Sequence, residues 1–254
     1  MSIDKTAVID RRARLDSTVS VGPYAVIGPD VEIGAHTQIG PHVVIHEQTR
    51  IGCDNQIYPF ASLGASSQDK KHVGQQAYLE IGDRNVIREY CTFNRGTGQQ
   101  SVTKIGHDNL LMAYVHIAHD CIVGNHTVFA NNASLAGHVT VEDYATLSGF
   151  SGVFQFCRIG AYSFATTHSV IIKDVPPFVK VAGYYAKPYG LNTVGLERQG
   201  FTQETMKYLK QAYKILYRQG LTIVKALDAL RQIECESVRQ MMQFVEASQA
   251  GIVR

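Results

Sequence analysis

Apolar residues recur at every sixth position along most of the chain. From Ile3 the register runs through Ile9, Leu15, Val21, Ile27, Ile33, Ile39, Ile45, Ile51, Ile57 and Leu63. It resumes at Ile81, Ile87 and Phe93, and again at Ile105, Leu111, Ile117, Val123, Phe129, Leu135, Val141, Leu147, Val153 and Ile159; all 24 positions are Ile, Leu, Val or Phe. The position four further on is small or short, as at Ala25, Cys91, Cys121, Ala133, Ala145 and Cys157. A period of six fits neither an amphipathic helix nor an alternating strand. It predicts a parallel β-helix in which each hexapeptide is a short strand plus a turn, and three hexapeptides close an 18-residue coil. The aliphatic and the small residue point inward, and glycines that follow the aliphatic, such as Gly28, Gly34 and Gly40, serve the turns.

The register breaks over residues 64–80 and 97–104, and loops that leave a solenoid usually carry function. It fades at Ala165. Pro176, Pro177 and Pro188 then mark a linker near 174–190. From about residue 192 the spacing turns helical: Met206, Leu209, Tyr213, Leu216 and Tyr217 form one stripe, ended by Gly220. Val224, Leu227, Leu230 and Ile233 mark a second helix, and Val238, Met241, Met242 and Val245 a third. The expected organisation is a solenoid over 1–191 and a helical domain over 192–254.

Composition narrows the function classes. With 254 residues, 45% hydrophobic and 18% charged, the chain is too apolar for disorder. It has no stretch of roughly 20 apolar residues to span a membrane. A net charge of +2 argues against a nucleic-acid-binding polycation. The charge divides as −1 for the solenoid and +3 for the tail, and all 10 histidines lie in the solenoid. Five cysteines are scattered without paired spacing, so neither a disulfide framework nor a zinc cluster is indicated. The start, Met1-Ser2-Ile3-Asp4-Lys5, has no apolar signal core, which points to the cytoplasm.

Stacking turns spacing into chemistry. Residues 18 apart should lie about 4.8 Å apart on successive coils. His119 then stacks on Gly137 and Gly137 on Gln155, Asp120 on His138, and His116 on Ser134. Cys121 falls in an inward slot, where a thiol is inert, so a cysteine nucleophile is disfavoured. His119 is left as a candidate general base, Asp120 as the carboxylate that orients it, and Gly137 as a backbone donor to an oxyanion. The competing reading of these residues is a set of surface histidines in polar turns.

The motifs Glu80-Ile81-Gly82-Asp83-Arg84-Asn85, Ile117-Ala118-His119-Asp120-Cys121-Ile122-Val123-Gly124-Asn125, Leu135-Ala136-Gly137-His138, Gln155-Phe156-Cys157, Asp174-Val175-Pro176-Pro177 and Gly195-Leu196-Glu197-Arg198 resemble the acyl-ACP:UDP-N-acetylglucosamine O-acyltransferase family over the whole chain. The resemblance implies a left-handed parallel β-helix with a small C-terminal α-helical domain, assembled as a homotrimer with active sites between subunits. It implies transfer of an (R)-3-hydroxyacyl chain from acyl carrier protein to the 3-hydroxyl of UDP-N-acetylglucosamine. That is the first step of lipid A biosynthesis in the cytoplasm of Gram-negative bacteria, and it needs no cofactor or metal. By resemblance His119, Asp120 and Gly137 are catalytic, and His116, His138 and Gln155 surround the sugar and acyl chain. Asp69 and Lys71 contact the nucleotide sugar, Asn192 and Arg198 lie near the uridine and phosphates, and Met112, Thr167 and Tyr185 line the acyl pocket. Thr167 stands where longer-chain members have Gly, so a chain of medium length is expected. Lys207, Lys210, Lys214 and Arg218 offer the acidic carrier protein a basic dock, although the same spacing also suits an ordinary solvated helix face.

Three positions depart from the family pattern: Phe154 and Asn94 replace His, and Gln199 replaces a second Arg. They leave open altered sugar or phosphate contacts, and transfer to the 3-amino analogue of the sugar. Three rivals fit less well. The related N-acyltransferase has an extra N-terminal domain for which a repeat starting at Ile3 leaves no room. A zinc-dependent solenoid carbonic anhydrase would use His116, His119 and His138 but needs another histidine spacing. A non-enzymatic scaffold would show regular outward Thr arrays.

Overall fold

The computed structural model describes residues 2–254. Among them, short strands ending in the register aliphatic build three sheets, which the chain visits in turn before rising one level. Ile117 pairs in parallel with Leu135, and Leu135 with Val153, so the predicted 18-residue step is the pairing register. Every register aliphatic from Val21 to Ile159 is buried. Each is worth about 1.5–3 kcal/mol against exposure. The second inward slot is polar on some coils: the Thr49 and Ser163 hydroxyls are buried there without a partner among the described residues, whereas the asparagines are paired. Asn55, Asn85 and Asn109 pass hydrogen bonds up one corner, and Asn109 Oδ1 accepts from the Thr127 amide and hydroxyl.

The outward positions differ by sheet. On the third sheet Arg14, Glu32, Arg50, Glu80 and Lys104 form a continuous ladder of exposed ion pairs. The first sheet instead shows Gln38, Gln56, Val86, Leu110, Val128 and Thr146. The second shows Val26, Val44, Ser62, Thr92, His116 and Ser134. Over these coils only the third sheet is dressed in charge for water.

Two expectations about boundaries change. The strands beside the breaks lengthen to Ser62–Ala65, Tyr78–Ile81 and Val102–Ile105, so the excursions shrink to 66–77 and 95–101. Their extra length shows as pairing steps of 30 (Ile57 with Ile87) and 24 (Ile87 with Leu111). The register also does not end at Ala165. Val170–Ile171 continues the second sheet, and Val179–Ala182 stacks in parallel on Phe164–Ala165. Residues 174–190, read from their prolines as a linker, thus hold a last turn and a hairpin. Pro176 and Pro177 lie in the turn over Gly160, where a Cβ would come within 2.4 Å of Pro177 N. Pro188 sits in the terminal strand Lys187–Leu191, an edge position that tolerates a missing N–H.

Four helices follow among the described residues: α1 (Thr193–Arg198), α2 (Gln203–Tyr217), α3 (Ile223–Leu230) and α4 (Glu236–Glu246). Side chains of Asn192, Thr202 and Thr222 cap the first three, accepting from Gly195, Thr205 and Lys225 amides. Ile233, expected in the second tail helix, lies beyond its end. The tail returns to the last coil at buried Asp174. Its carboxylate accepts from the Arg158 amide and the Ser248 hydroxyl, and the Arg158 guanidinium lies 4.3 Å over the Phe244 ring.

Candidate active site

The candidate catalytic residues lie at the corner between the second and third sheets. At each level its turn has four residues, and the third adopts the left-handed conformation: Asp120 (φ 60°), His138 (φ 61°) and Phe156 (φ 65°) form that column. The amide of the left-handed residue donates to the coil below, as His138 N–H does to the His119 carbonyl. This fixes the predicted stack. His119 lies under Gly137, and an added Cβ at 137 would sit 2.4 Å from His119 Cε1 and 2.6 Å from Nε2. Among the described residues the Gly137 N–H has no acceptor. The amides of 119 and 155, at the same turn position, are likewise free, but only at 137 is there no side chain beside the amide.

His119 donates from Nδ1 to Asp120 Oδ2 at 2.8 Å, which leaves Nε2 free on the outer side. The Asp69 carboxylate stands 3.9 Å from Nε2. Both partners of the pair are sheltered, with side chains 13% and 10% exposed. Burial pushes the Asp120 carboxyl up, but hydrogen bonds from the His119 ring, the Ser101 side chain and the Thr97 amide outweigh it and hold the group below the ordinary carboxylate range. Asp120 is therefore ionised wherever an imidazole titrates. The His138 ring meets His119 edge-on at 5.2 Å and stacks on Phe156 at 4.8 Å. Asp120 lies 3.7 Å from His138 Nε2, so His119, Asp120 and His138 are close enough to surround a cation. The Asp120 oxygens already accept from His119 and from Thr97 N–H, at 3.1 and 3.3 Å, and a cation would have to displace these donors. The donor set suits an oriented base better than a metal.

The remaining residues divide. His116 lies on the open face of the second sheet, its Nδ1 2.8 Å from Thr92 Oγ1; burial lowers its affinity for a proton. Gln155 is exposed one coil above Gly137. Lys71 is exposed beside Asp69, to whose carboxylate it donates its amide. Met112 and Thr167 sit at the other edge of the second sheet, three coils apart, and Tyr185 is exposed on the hairpin, stacked on Tyr184. Asn192 and Arg198 are not near His119 in this chain. They line a cavity of about 510 Å³ on the outer side of the first sheet, with Val128, Phe164 and Lys180. Asn192 is also a helix cap whose amide donates to the Tyr162 carbonyl.

The departures from the family pattern have separate settings. Asn94 is buried away from solvent, where its amide donates to the Ser66 carbonyl at the root of the first loop. Phe154 is 57% exposed. Gln199 is exposed at the end of α1. Three residues not singled out individually in the sequence, all within the two breaks of the register, adjoin the candidate site: Thr97 and Ser67 in the loops, and Thr103, whose hydroxyl accepts the Asp120 amide at 2.8 Å. None lies in the six-residue register as an outward polar position, so periodicity had nothing to say about them.

Cys121 occupies the core slot as expected, fully buried, with its thiol pushed up to about 12 by burial. A Cys121→Ala enzyme should keep activity within about threefold and the wild-type resistance to iodoacetamide. Loss of turnover with the fold intact would contradict this.

Residues 12–47 and 103–137 match the bacterial transferase hexapeptide repeat, and 174–253 match the second domain of UDP-N-acetylglucosamine O-acyltransferase. The chain is 55% identical over 260 residues to the acyl-[acyl-carrier-protein]–UDP-N-acetylglucosamine O-acyltransferase of Paracidovorax citrulli, covering 100% of this chain and 99% of that one. It is 52% identical to the enzyme of that name from Thiobacillus denitrificans, with the same coverage. Among solved structures, UDP-N-acetylglucosamine O-acyltransferase from Moraxella catarrhalis superimposes with a TM-score of 0.96 at 44% identity, covering 100% of both chains. LpxA from Acinetobacter baumannii gives 0.96 at 45% identity and 99% of both. These names specify transfer to oxygen and lend the 3-amino acceptor no support. The chain belongs to the acyl-[acyl-carrier-protein]–UDP-N-acetylglucosamine O-acyltransferase family.

Proposed function

We propose that this chain transfers an (R)-3-hydroxyacyl group from acyl carrier protein to the 3-hydroxyl of UDP-N-acetylglucosamine, the first step of lipid A assembly, in the cytoplasm of a Gram-negative bacterium. The observation that carries the reading is His119, oriented by Asp120 at 2.8 Å, against the bare backbone of Gly137. His119 Nε2 takes the proton of the sugar hydroxyl as its oxygen attacks the thioester carbonyl. The tetrahedral oxyanion accepts the free Gly137 N–H. Collapse breaks the carbon–sulfur bond, and the departing thiolate receives the proton from the imidazolium. Asp120 holds the Nδ1–H and stabilises that imidazolium. Asp69 and Lys71, on the first loop, contact the acceptor, with His116, His138 and Gln155 around it. Met112, Thr167 and Tyr185 contact the acyl chain. Among the described residues no helix is long and apolar enough to cross a membrane.

Asn192 and Arg198 lie across the prism from His119, so for both groups to serve one nucleotide sugar they must come from two chains. The first and second sheets, free of charged outward residues from Gln38 to Thr146 and from Val26 to Ser134, supply the faces for a cyclic homotrimer, with the charged third sheet left to water. Lys207, Lys210, Lys214 and Arg218 are exposed along α2 and just past its end, beside two grooves, and offer a cationic dock for an acidic carrier protein.

The test uses purified enzyme, (R)-3-hydroxyacyl carrier proteins of several chain lengths and UDP-N-acetylglucosamine, with the ester product read by mass spectrometry. No transfer at any chain length overturns the reading. The shared site is read by co-expressing His119→Ala and Arg198→Ala chains. In a random mixture about a quarter of the sites regain both groups. A mixture no more active than its separate parents rules out sites between subunits.

A further inference from the structure

The two loops that interrupt the register are hydrogen-bonded to one another, and one of these bonds joins two side chains next to the candidate base. Thr97, in the second loop, donates its hydroxyl to Ser67 Oγ, in the first, at 2.7 Å. Ser67 is buried, and its oxygen also accepts the amide of Asp69 at 3.1 Å. Thr97 donates its own amide to both oxygens of Asp120. The pair therefore links the Asp120 carboxylate, which holds Nδ1, to the backbone amide of Asp69, whose own carboxylate faces Nε2. A further contact fastens the second loop, the Thr97 carbonyl to His72 Nδ1 at 3.2 Å.

We propose that Ser67 and Thr97 are positioning residues: a latch that couples the acceptor-binding loop to the orientation of the catalytic histidine. The inference rests on His119 acting as the base. Its physical content is the alignment of two groups at once. When Asp69 engages the sugar, the Asp69 amide is anchored to Ser67, Ser67 to Thr97, and the Thr97 amide to the carboxylate behind the imidazole. Acceptor binding and base alignment then rise and fall together, and near-attack geometry at Nε2 depends on an oxygen that touches neither substrate. The Thr97 hydroxyl spans two loops that leave different coils, and its amide reaches the Asp120 carboxylate from the second loop.

Thr97→Val keeps the shape and the backbone amide and removes the bridging hydroxyl. Loss of one such bond should lower kcat about three- to tenfold and raise KM for UDP-N-acetylglucosamine, leaving KM for the acyl carrier protein and the melting temperature close to wild type. Thr97→Ser restores the hydroxyl and should recover most of the activity. Ser67→Ala should resemble Thr97→Val, and the double variant should be no worse than either single one, because each breaks the same link. A Thr97→Val enzyme with wild-type kcat and KM, a Thr97→Ser enzyme as impaired as Thr97→Val, or single effects that multiply in the double variant would each overturn the latch. Those outcomes leave the functional reading standing if wild-type enzyme transfers acyl groups and His119→Ala does not. If wild-type enzyme transfers none, the functional reading falls and the latch with it.

Discussion

Replacing His119 with alanine is expected to lower kcat by about 10²–10⁴-fold, with little change in either KM or in thermal unfolding. The side chain lies in an outward turn, so its loss opens no hole in the aliphatic column, whose nearest members, Ile117 and Cys121, stay fully buried. Asp120 keeps its Thr97 donor and needs no new partner. What disappears is the only imidazole whose second nitrogen is aimed by a carboxylate toward the Gly137 amide. Without it the sugar hydroxyl must give its proton to water, while the oxyanion donor remains. Steady-state transfer assays with a calorimetric melt check this result. A folded His119→Ala enzyme turning over at the wild-type rate removes His119 from the mechanism.

Gly137→Ala should be nearly as damaging, for a reason of space. The added methyl would lie 2.4 Å from His119 Cε1, 2.6 Å from Nε2 and 3.1 Å from Nδ1, closer than a methyl and a ring can approach. Gly137 does not adopt a left-handed φ, so the backbone itself accepts alanine and the coil should fold. The ring has to move, but Asp120 holds Nδ1 and the second loop holds Asp120. A displacement of about 1 Å at the base costs about 10²-fold in rate, and kcat should fall by at least that much while unfolding shifts little. The two changes should not add: on a His119→Ala background, Gly137→Ala should cost less than about threefold, since the amide donor persists and no ring is left to displace. Wild-type kcat in the single variant would show that His119 does not work from under Gly137.

The fold was legible because the solenoid repeats one local decision. An aliphatic every sixth residue with a small residue four positions later leaves each hexapeptide one way to bury both, and stacking by 18 follows from closing three of them. The pairing of His116 with Ser134 and the placement of His119 beneath Gly137 needed only that arithmetic. Where the period lapses, so does the reading. The hairpin of 174–190 looked like a linker because prolines usually punctuate structure, whereas here one pair sits in a turn and the third in an edge strand. The hand of the coil does not follow from a period of six and entered only through resemblance.

The sequence by itself determined the repeat, the inward and outward positions, the burial of Cys121 and the candidate set of His119, Asp120 and Gly137. These are consequences of local spacing, propagated by a register that does not drift. Only the tertiary structure decided that Thr97 and Thr103 contact Asp120 and that Ser67 joins Thr97 to the Asp69 amide, that Asp69 faces the free imidazole nitrogen, and that Asn192 and Arg198 lie on a different side of the prism. The reason is physical. A loop released from the register is placed by hydrogen bonds to partners about 30 residues away, and a helix added after the last coil is placed by the surface it packs on. Neither leaves a period in the chain.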